Sequence, residues 1–276
     1  MNKTSREYSR WIRYIVIALI LGFFIFPMIW LFETSLKLKI DMFKLPPVWL
    51  KFKPTMKNYI YITNMMPIFR WGKNSLLISF GTMILSLLIG VPAGYAFSRV
   101  KFRGRFVLLT FILLARTIPP VIIVLPFRLL MNNLGIFGTR LAVILIDTVY
   151  NASFTAWLMS GIFENIAKEL EEAAIIDGCG VLSAFWKVVV PLSLPGLVTS
   201  ALFAFIYSWN DFLFAMTLTS PQTATLPLGM LSTFGMMSVG WTNMAAMGML
   251  AILPVLVLSL ALQRYYVSGL TFGGVK

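Results

Sequence analysis

Histidine is absent from this chain, and cysteine occurs once, at Cys179. The first absence removes the most versatile general base and metal ligand, the second removes any disulfide framework, and together they exclude a Cys/His nucleophile pair. Acids are scarce as well, ten in 276 residues, and charged residues of both signs make up 12% of the chain against roughly a quarter in a soluble domain. No polar stretch is long enough to bury a core of its own. There is no GxxxxGK[ST] loop to cradle nucleotide phosphates and no HExxH metal motif. The few carboxylates lie in a polar connection without a partnering nucleophile, so the residues point to a protein that moves or docks something rather than one that makes and breaks bonds.

What is present is apolar side chain: 59% hydrophobic residues and a mean hydropathy of +0.85, values that belong in a bilayer. The formal net charge of +13 sits in short breaks between apolar runs, where Lys and Arg meet lipid headgroups rather than nucleic acid. Six runs emerge, at 11–32, 74–98, 106–130, 141–163, 192–220 and 243–263, each near or above the ~20 residues a membrane helix needs. The first follows Lys3, Arg6, Arg10 and Arg13, and no small-x-small cleavage pattern follows in ETSLKLK, so it reads as a retained helix. The expectation is an all-α integral membrane protein with six transmembrane helices in a single domain over 1–276. An even number of spans places both termini on one side, together with the 99–105 loop and the acidic segment. Charge bias favours the cytoplasm for that side only weakly. Proline and glycine in GVPAGY (Gly90 to Tyr95) and RTIPPVIIVLP (Arg116 to Pro126) predict broken helices, which lipid tolerates only where protein or a wet cavity takes up the freed backbone groups. The 33–73 loop reads as an ordered surface excursion, its basic residues meeting lipid headgroups and water, with one interfacial stretch, NYIYI (Asn58 to Ile62).

Half of the acids, Glu164, Glu169, Glu171, Glu172 and Asp177, fall within fourteen positions. From Glu169 the pattern is helical, with Leu170, Ala173, Ala174 and Asp177 on one face, and the alanines flatten that face for close approach by another protein. Gly178 and Gly180 are expected to end the helix and turn the chain. Leu182, Phe185, Trp186 and Val189 then share a second helical face suited to the membrane boundary, which Pro191 closes. A solvated amphipathic loop whose acids offset nearby basic groups fits these residues equally well.

The run EAAIIDG, followed after nine residues by Val188 and then by Val190 and Pro191, resembles the EAA signature of ABC importer permeases. Glu172, Ala173, Ala174, Gly178 and Pro191 stand at matching positions, and Val188 and Val190 replace the usual Ile and Leu. The resemblance runs from WGKNSLLISFGT (Trp71 to Thr82) to the tail QRYYVSGLTFGGVK. It is strongest to the second permease of maltose-type carbohydrate importers, through YSWNDFLFA (Tyr207 to Ala215) and RTIPPVIIVLP. It implies a type I importer permease with cytoplasmic termini in the bacterial inner membrane, translocating a sugar, oligosaccharide or polyol, or an anionic sugar derivative. It further implies a second permease, two ATP-binding subunits that hold ATP and Mg, an extracytoplasmic solute-binding protein, and no cofactor on this chain. Glu172, Ala173, Ala174, Asp177, Gly178 and Pro191 would then belong to the coupling helix and its turn, and Gly273, Gly274 and Lys276 to a tail approaching the ATP-binding subunits.

Ionisable groups inside a span cost about 2.5–3.5 kcal/mol at a helix centre and mark cavities or partners. On that ground Arg116, Asp147, Asn151, Asn210 and Asp211 are candidates for a translocation path, with Tyr207 and Trp209 as aromatic neighbours. The alternatives stay open. Arg116 either binds solute or pairs with Asp147, Tyr207 and Trp209 either stack on a sugar or pack, and Arg128 and Asp211 either contribute or snorkel from span ends. A secondary transporter with Asp147 or Asp211 as a proton relay, and a membrane assembly factor, are the rival functions.

Overall fold

The computed structural model describes residues 3–46, 48–49, 51–234 and 240–271. Regular structure among them is helical, and the one strand-like contact is an isolated bridge between Gly138 and Thr219. Apolar runs in lipid must satisfy their backbone groups internally, which a helix does within its own segment. Two compact parts are distinguished, Met1–Ile68 with Met230–Leu253, and Phe69–Gly229 with Pro254–Lys276.

The first part contains α1 (Lys3–Leu36), α2 (Lys39–Met42) and α3 (Lys57–Met65). Along α1, Trp11, Leu19, Phe23 and Phe24 are all exposed, the surface of a helix whose solvent is hydrocarbon. The excursion after α1 is ordered, as its sequence suggests. Asn58 donates through Nδ2 to the carbonyls of Ser35 and Lys37, both at 2.8 Å, and Tyr59 Oη donates to Ser35 Oγ at 2.8 Å. Lys37, however, does not face water. It is 2% exposed, with Nζ 3.3 Å from Glu33 Oε2 and 5.0 Å from the ring centroids of both Trp30 and Phe52. An ion pair and two aromatic faces take the place of the hydration that its charge was expected to seek.

The second part is built on α4 (Ile68–Arg99), α5 (Arg105–Ala115), α6 (Pro120–Asn133), α7 (Arg140–Glu164), α8 (Lys168–Ile176), α9 (Val181–Ala184), α10 (Val190–Leu192), α11 (Leu194–Trp209), α12 (Leu213–Leu218) and α13 (Leu226–Gly229). The long α14 (Trp241–Thr271) begins in the first part and ends in the second. One core cluster gathers Ile78, Val124, Ile146, Tyr150 and Phe214, and another gathers Val91, Met159, Phe163, Phe185 and Val189. At one end Asn74 ties the elements together, donating to the carbonyls of Gln222 and Ala224 at 3.0 and 2.8 Å and accepting from Arg140 Nε at 2.8 Å.

Among the described residues, four helices are long and apolar enough to cross a bilayer, Arg10–Leu36, Ile68–Arg99, Arg140–Glu164 and Trp241–Tyr265, with a fifth if Val181–Leu192 and Leu194–Trp209 are joined across a 79° bend. The run at 106–130 is divided into the shorter α5 and α6. Thr117 and Ile118 lead into Pro119 and Pro120, and a residue before proline is driven out of the helical region; Pro119 itself has ψ 127. GVPAGY behaves differently from expectation, because α4 runs unbroken through Pro92 to Arg99. Its glycines serve contact instead of breakage. A Cβ on Gly90 would lie 2.6 Å from Thr155 Cβ, and one on Gly94 would lie 2.8 Å from the Ala156 carbonyl. The pair is a GxxxG contact that lets the backbones of α4 and α7 approach.

Candidate functional site

The acidic segment folds as the nine-residue α8. It ends where Gly178 takes φ +92, with Gly178 N donating to Ile175 O and Cys179 N to Ala174 O, both at 3.0 Å. Left-handed backbone of this kind is what makes glycine the natural residue after a helix. Gly180 needs no such freedom, since its φ is −69 and it simply opens α9.

The carboxylate that holds α8 in place is Glu171, not the Glu172 singled out by the motif. Glu171 and Arg99 form an ion pair with each side chain 10% exposed. Arg99 Nε donates to Glu171 Oε1 at 2.6 Å, an Arg99 terminal nitrogen donates to the Ile166 carbonyl at 3.0 Å, and Tyr95 Oη donates to Glu171 Oε2 at 2.9 Å. Tyr95 and Arg99 are one helical turn apart on α4, so both reach the same acid. With Glu171 turned inward, Glu172, Ala173, Ile176 and Asp177 stand exposed and Ala174 half-buried. Ile176 is 85% exposed, a large apolar side chain beside acids on a short surface helix. A partner that covers it removes that apolar area from water. At the near end of α7, Glu164 pairs with Arg105 at 3.3 Å on the surface.

The stretch that follows corrects the expected second face. Phe185 and Val189 are buried, at 3% and 0% exposure, while Leu182 and Trp186 are exposed. The reason is a π turn over Phe185–Val189, closed by Val190 N donating to Phe185 O. Pro191 has no N–H to offer one turn back, and the wider turn rotates the register of the face away from an α-helical one. Nor does Pro191 close the helix; α10 continues through it to Leu192, and the 79° bend falls at Ser193.

The intramembrane candidates separate into four groups. Asp147 is 0% exposed and accepts from Ser208 Oγ at 2.6 Å, with its Oδ1 unpartnered, and the Ser208 and Thr82 hydroxyls lie within hydrogen-bond distance at 3.2 Å. Asn151 is buried and spends its Nδ2 on the Asp147 carbonyl at 2.8 Å. These two lie in a polar seam between α4, α7 and α11. Trp209 is 3% exposed and stacked on Phe205 at 5.7 Å and 14°, which is packing. Asn210 is exposed and bonds back to the Ile206 carbonyl, and Asp211 accepts from Phe214 N at 3.3 Å and Ala215 N at 2.8 Å, capping α12. Arg116 and Tyr207 are brought together. The Arg116 guanidinium carbon lies 4.7 Å from the Phe154 ring centroid and 5.4 Å from that of Tyr207, and Tyr207 stacks on Tyr150 at 6.0 Å and 19°. No ion pair joins Arg116 to Asp147 or to another acid among the described residues. Arg128 lies over the Phe137 ring at 5.0 Å. Gly273, Gly274 and Lys276 fall outside the described residues.

Glu171 and Arg99 left no local mark in the sequence: the acid sits among other acids, and its partner lies 72 positions earlier. The signal that existed was the pairing of Tyr95 with Arg99 at helical spacing on the last turn of a span.

A many-helix chain with a short helix anchored to one apolar span and an exposed face of acids, alanine and isoleucine has the architecture of an integral membrane protein. Residues 86–271 match the family described as binding-protein-dependent transport system inner membrane component, and the chain belongs to that family. It is thus the permease subunit of an ABC transporter, a non-enzymatic membrane subunit whose ATPase resides in a partner. The chain is 34% identical over 275 residues to the probable ABC transporter permease protein y4oR of Sinorhizobium fredii, covering 100% of this chain and 98% of that protein. It is also 34% identical over 266 residues to the sulfoquinovosyl glycerol transport system permease protein SmoH of Agrobacterium fabrum, covering 96% and 93%. Its fold matches, with TM-score 0.77 and 25% identity over 96% of this chain and 99% of the other, a chain of a bacterial ABC transporter that imports the acidic polysaccharide alginate.

Proposed function

We propose that this chain translocates a sugar, oligosaccharide or polyol across the bacterial inner membrane, with both termini in the cytoplasm, and that α8 is its coupling helix. It works beside a second permease, two ATP-binding subunits carrying ATP and Mg, and an extracytoplasmic solute-binding protein. Six crossings follow when α5 with α6, and α11 with α12, are each counted as one broken span. The carbohydrate reading is supported by the solutes named for the relative and the structural neighbour. The observation that carries the mechanism is the division of labour on α8: Glu171 is held by Arg99 and Tyr95, while Glu172, Ala173 and Ile176 remain exposed. When the ATP-binding subunits close, a push on the exposed face passes through the buried ion pair into α4, and through the Gly90 and Gly94 contacts into α7. Gly178 and Pro191 shape the turn and bend that return the chain to the bilayer.

Charge reversal at the exposed acid tests this. Glu172→Arg in the complete importer, reconstituted with its binding protein in proteoliposomes, is expected to lower ATP-driven sugar uptake at least about tenfold while the chain stays in the membrane. That corresponds to the loss of about 1.4 kcal/mol of docking energy. Undiminished uptake at full membrane incorporation would sink the coupling role.

A further inference from the structure

We propose that Arg116 is an anion-binding residue of the solute path, and that the transported solute carries an oxyanion, a carboxylate or sulfonate, on its sugar or polyol frame. The inference rests on the carbohydrate reading above and narrows it to acidic solutes.

Arg116 sits in the break between α5 and α6, half-buried, with no acid paired to it among the described residues. Asp147 is engaged by Ser208, and Asp211 caps α12. The guanidinium carbon lies over the rings of Phe154 and Tyr207, 4.7 and 5.4 Å from their centroids. Aromatic faces stabilise a cation, but they leave its charge in place and its in-plane N–H fork unused. A guanidinium left open to hydrocarbon is expensive, so the accessible edge faces protein or a wet path. Pro119 in the break and Pro120 at the start of α6 have no N–H to give, and Thr117 spends both its N–H and its hydroxyl on the Leu114 carbonyl, which leaves Arg116 as the charged donor there. What such a fork binds best is a planar or tetrahedral oxyanion, through two parallel charge-assisted hydrogen bonds. A neutral sugar offers only hydroxyls, and leaves the positive charge uncompensated.

A carboxylate on the second permease would satisfy the same fork, and the experiment separates the two sources. The complete importer with its binding protein is reconstituted and given matched probes: sulfoquinovosyl glycerol with glucosyl glycerol, and digalacturonate with galactobiose. The expected result is uptake of at least one acidic member, and an Arg116→Gln importer whose half-saturating concentration for that member rises about tenfold or more, the effect of losing a charge-assisted pair. Co-purification of the two permeases should be unchanged, and Arg116→Lys should recover part of the affinity. Acidic uptake that is insensitive to Arg116→Gln overturns the inference. So does loss of the permease pair on purification, which assigns the arginine to a partner carboxylate. Uptake of the neutral probes alone overturns the inference and leaves the carbohydrate reading standing, whereas uptake of none of the four removes both.

Discussion

Truncating either member of the Arg99–Glu171 pair strands the other charge at a site only 10% open to solvent. Removing one partner of a buried ion pair costs about 3–5 kcal/mol, because the remaining charge keeps its desolvation penalty without the compensating attraction. Glu171→Ala is therefore expected to lower the thermal midpoint of the purified importer and to reduce solute moved per ATP hydrolysed, since α8 loses its grip on α4. Pairing Glu171→Leu with Arg99→Leu should recover much of the thermal midpoint and little of the coupling. Thermal unfolding and uptake-to-hydrolysis ratios measured on the same preparations check both halves, and full coupling in the double variant would remove the pair from force transmission. Lys37 teaches a related lesson. A lysine in an excursion between spans suggests solvent, yet the aromatic residues that cage it, Trp30 and Phe52, lie on either side of it in sequence, and nothing about a lone Lys announces a ring above and below.

At the scale of the element, composition and spacing predict where helices run better than how they are interrupted. The boundaries of α7 and the end of α4 follow from hydropathy, and α8 from its 3.6-residue period, whereas α4 begins at Ile68, ahead of the apolar run that starts at position 74. The break between α5 and α6 was legible because consecutive prolines enforce it locally. The continuity of α4 through GVPAGY was not, because a lone proline is tolerated inside a membrane helix once packing absorbs it, and the packing partner α7 is remote in sequence. The π turn at Phe185–Val189 was likewise hidden, and with it the inward turn of Phe185 and Val189. Close packing of α4 on α7 carries its own prediction. Gly94→Val places methyl groups where the Ala156 carbonyl and Met159 Cβ already lie, an overpacking worth about 1–3 kcal/mol. Gly72→Ala, with nothing within 4 Å of the added carbon, is the control. Membrane-inserted yield and thermal midpoint should fall for the first and hold for the second.

For the whole molecule, the question is where the work comes from. Asp147 is sealed into a seam of hydroxyls and Asp211 is spent on the start of α12, so neither carboxylate is presented as a relay, which favours the proposed coupling through the exposed face of α8. Uptake is accordingly expected to need the ATP-binding subunit, and to persist in proteoliposomes whose ion gradients have been dissipated by ionophores. Gradient-driven uptake by this chain alone would reverse that assignment.

The internal anchoring of α8 has a consequence for how such a subunit changes partners. Because the helix is fastened by the chain's own Arg99 and Tyr95, its outward residues bear no part of that attachment and are free to be rewritten. In the coupling role proposed for α8, the motor it answers to could therefore be exchanged by altering a handful of exposed side chains, while the fastening beneath them, and the conduit it serves, stay as they are.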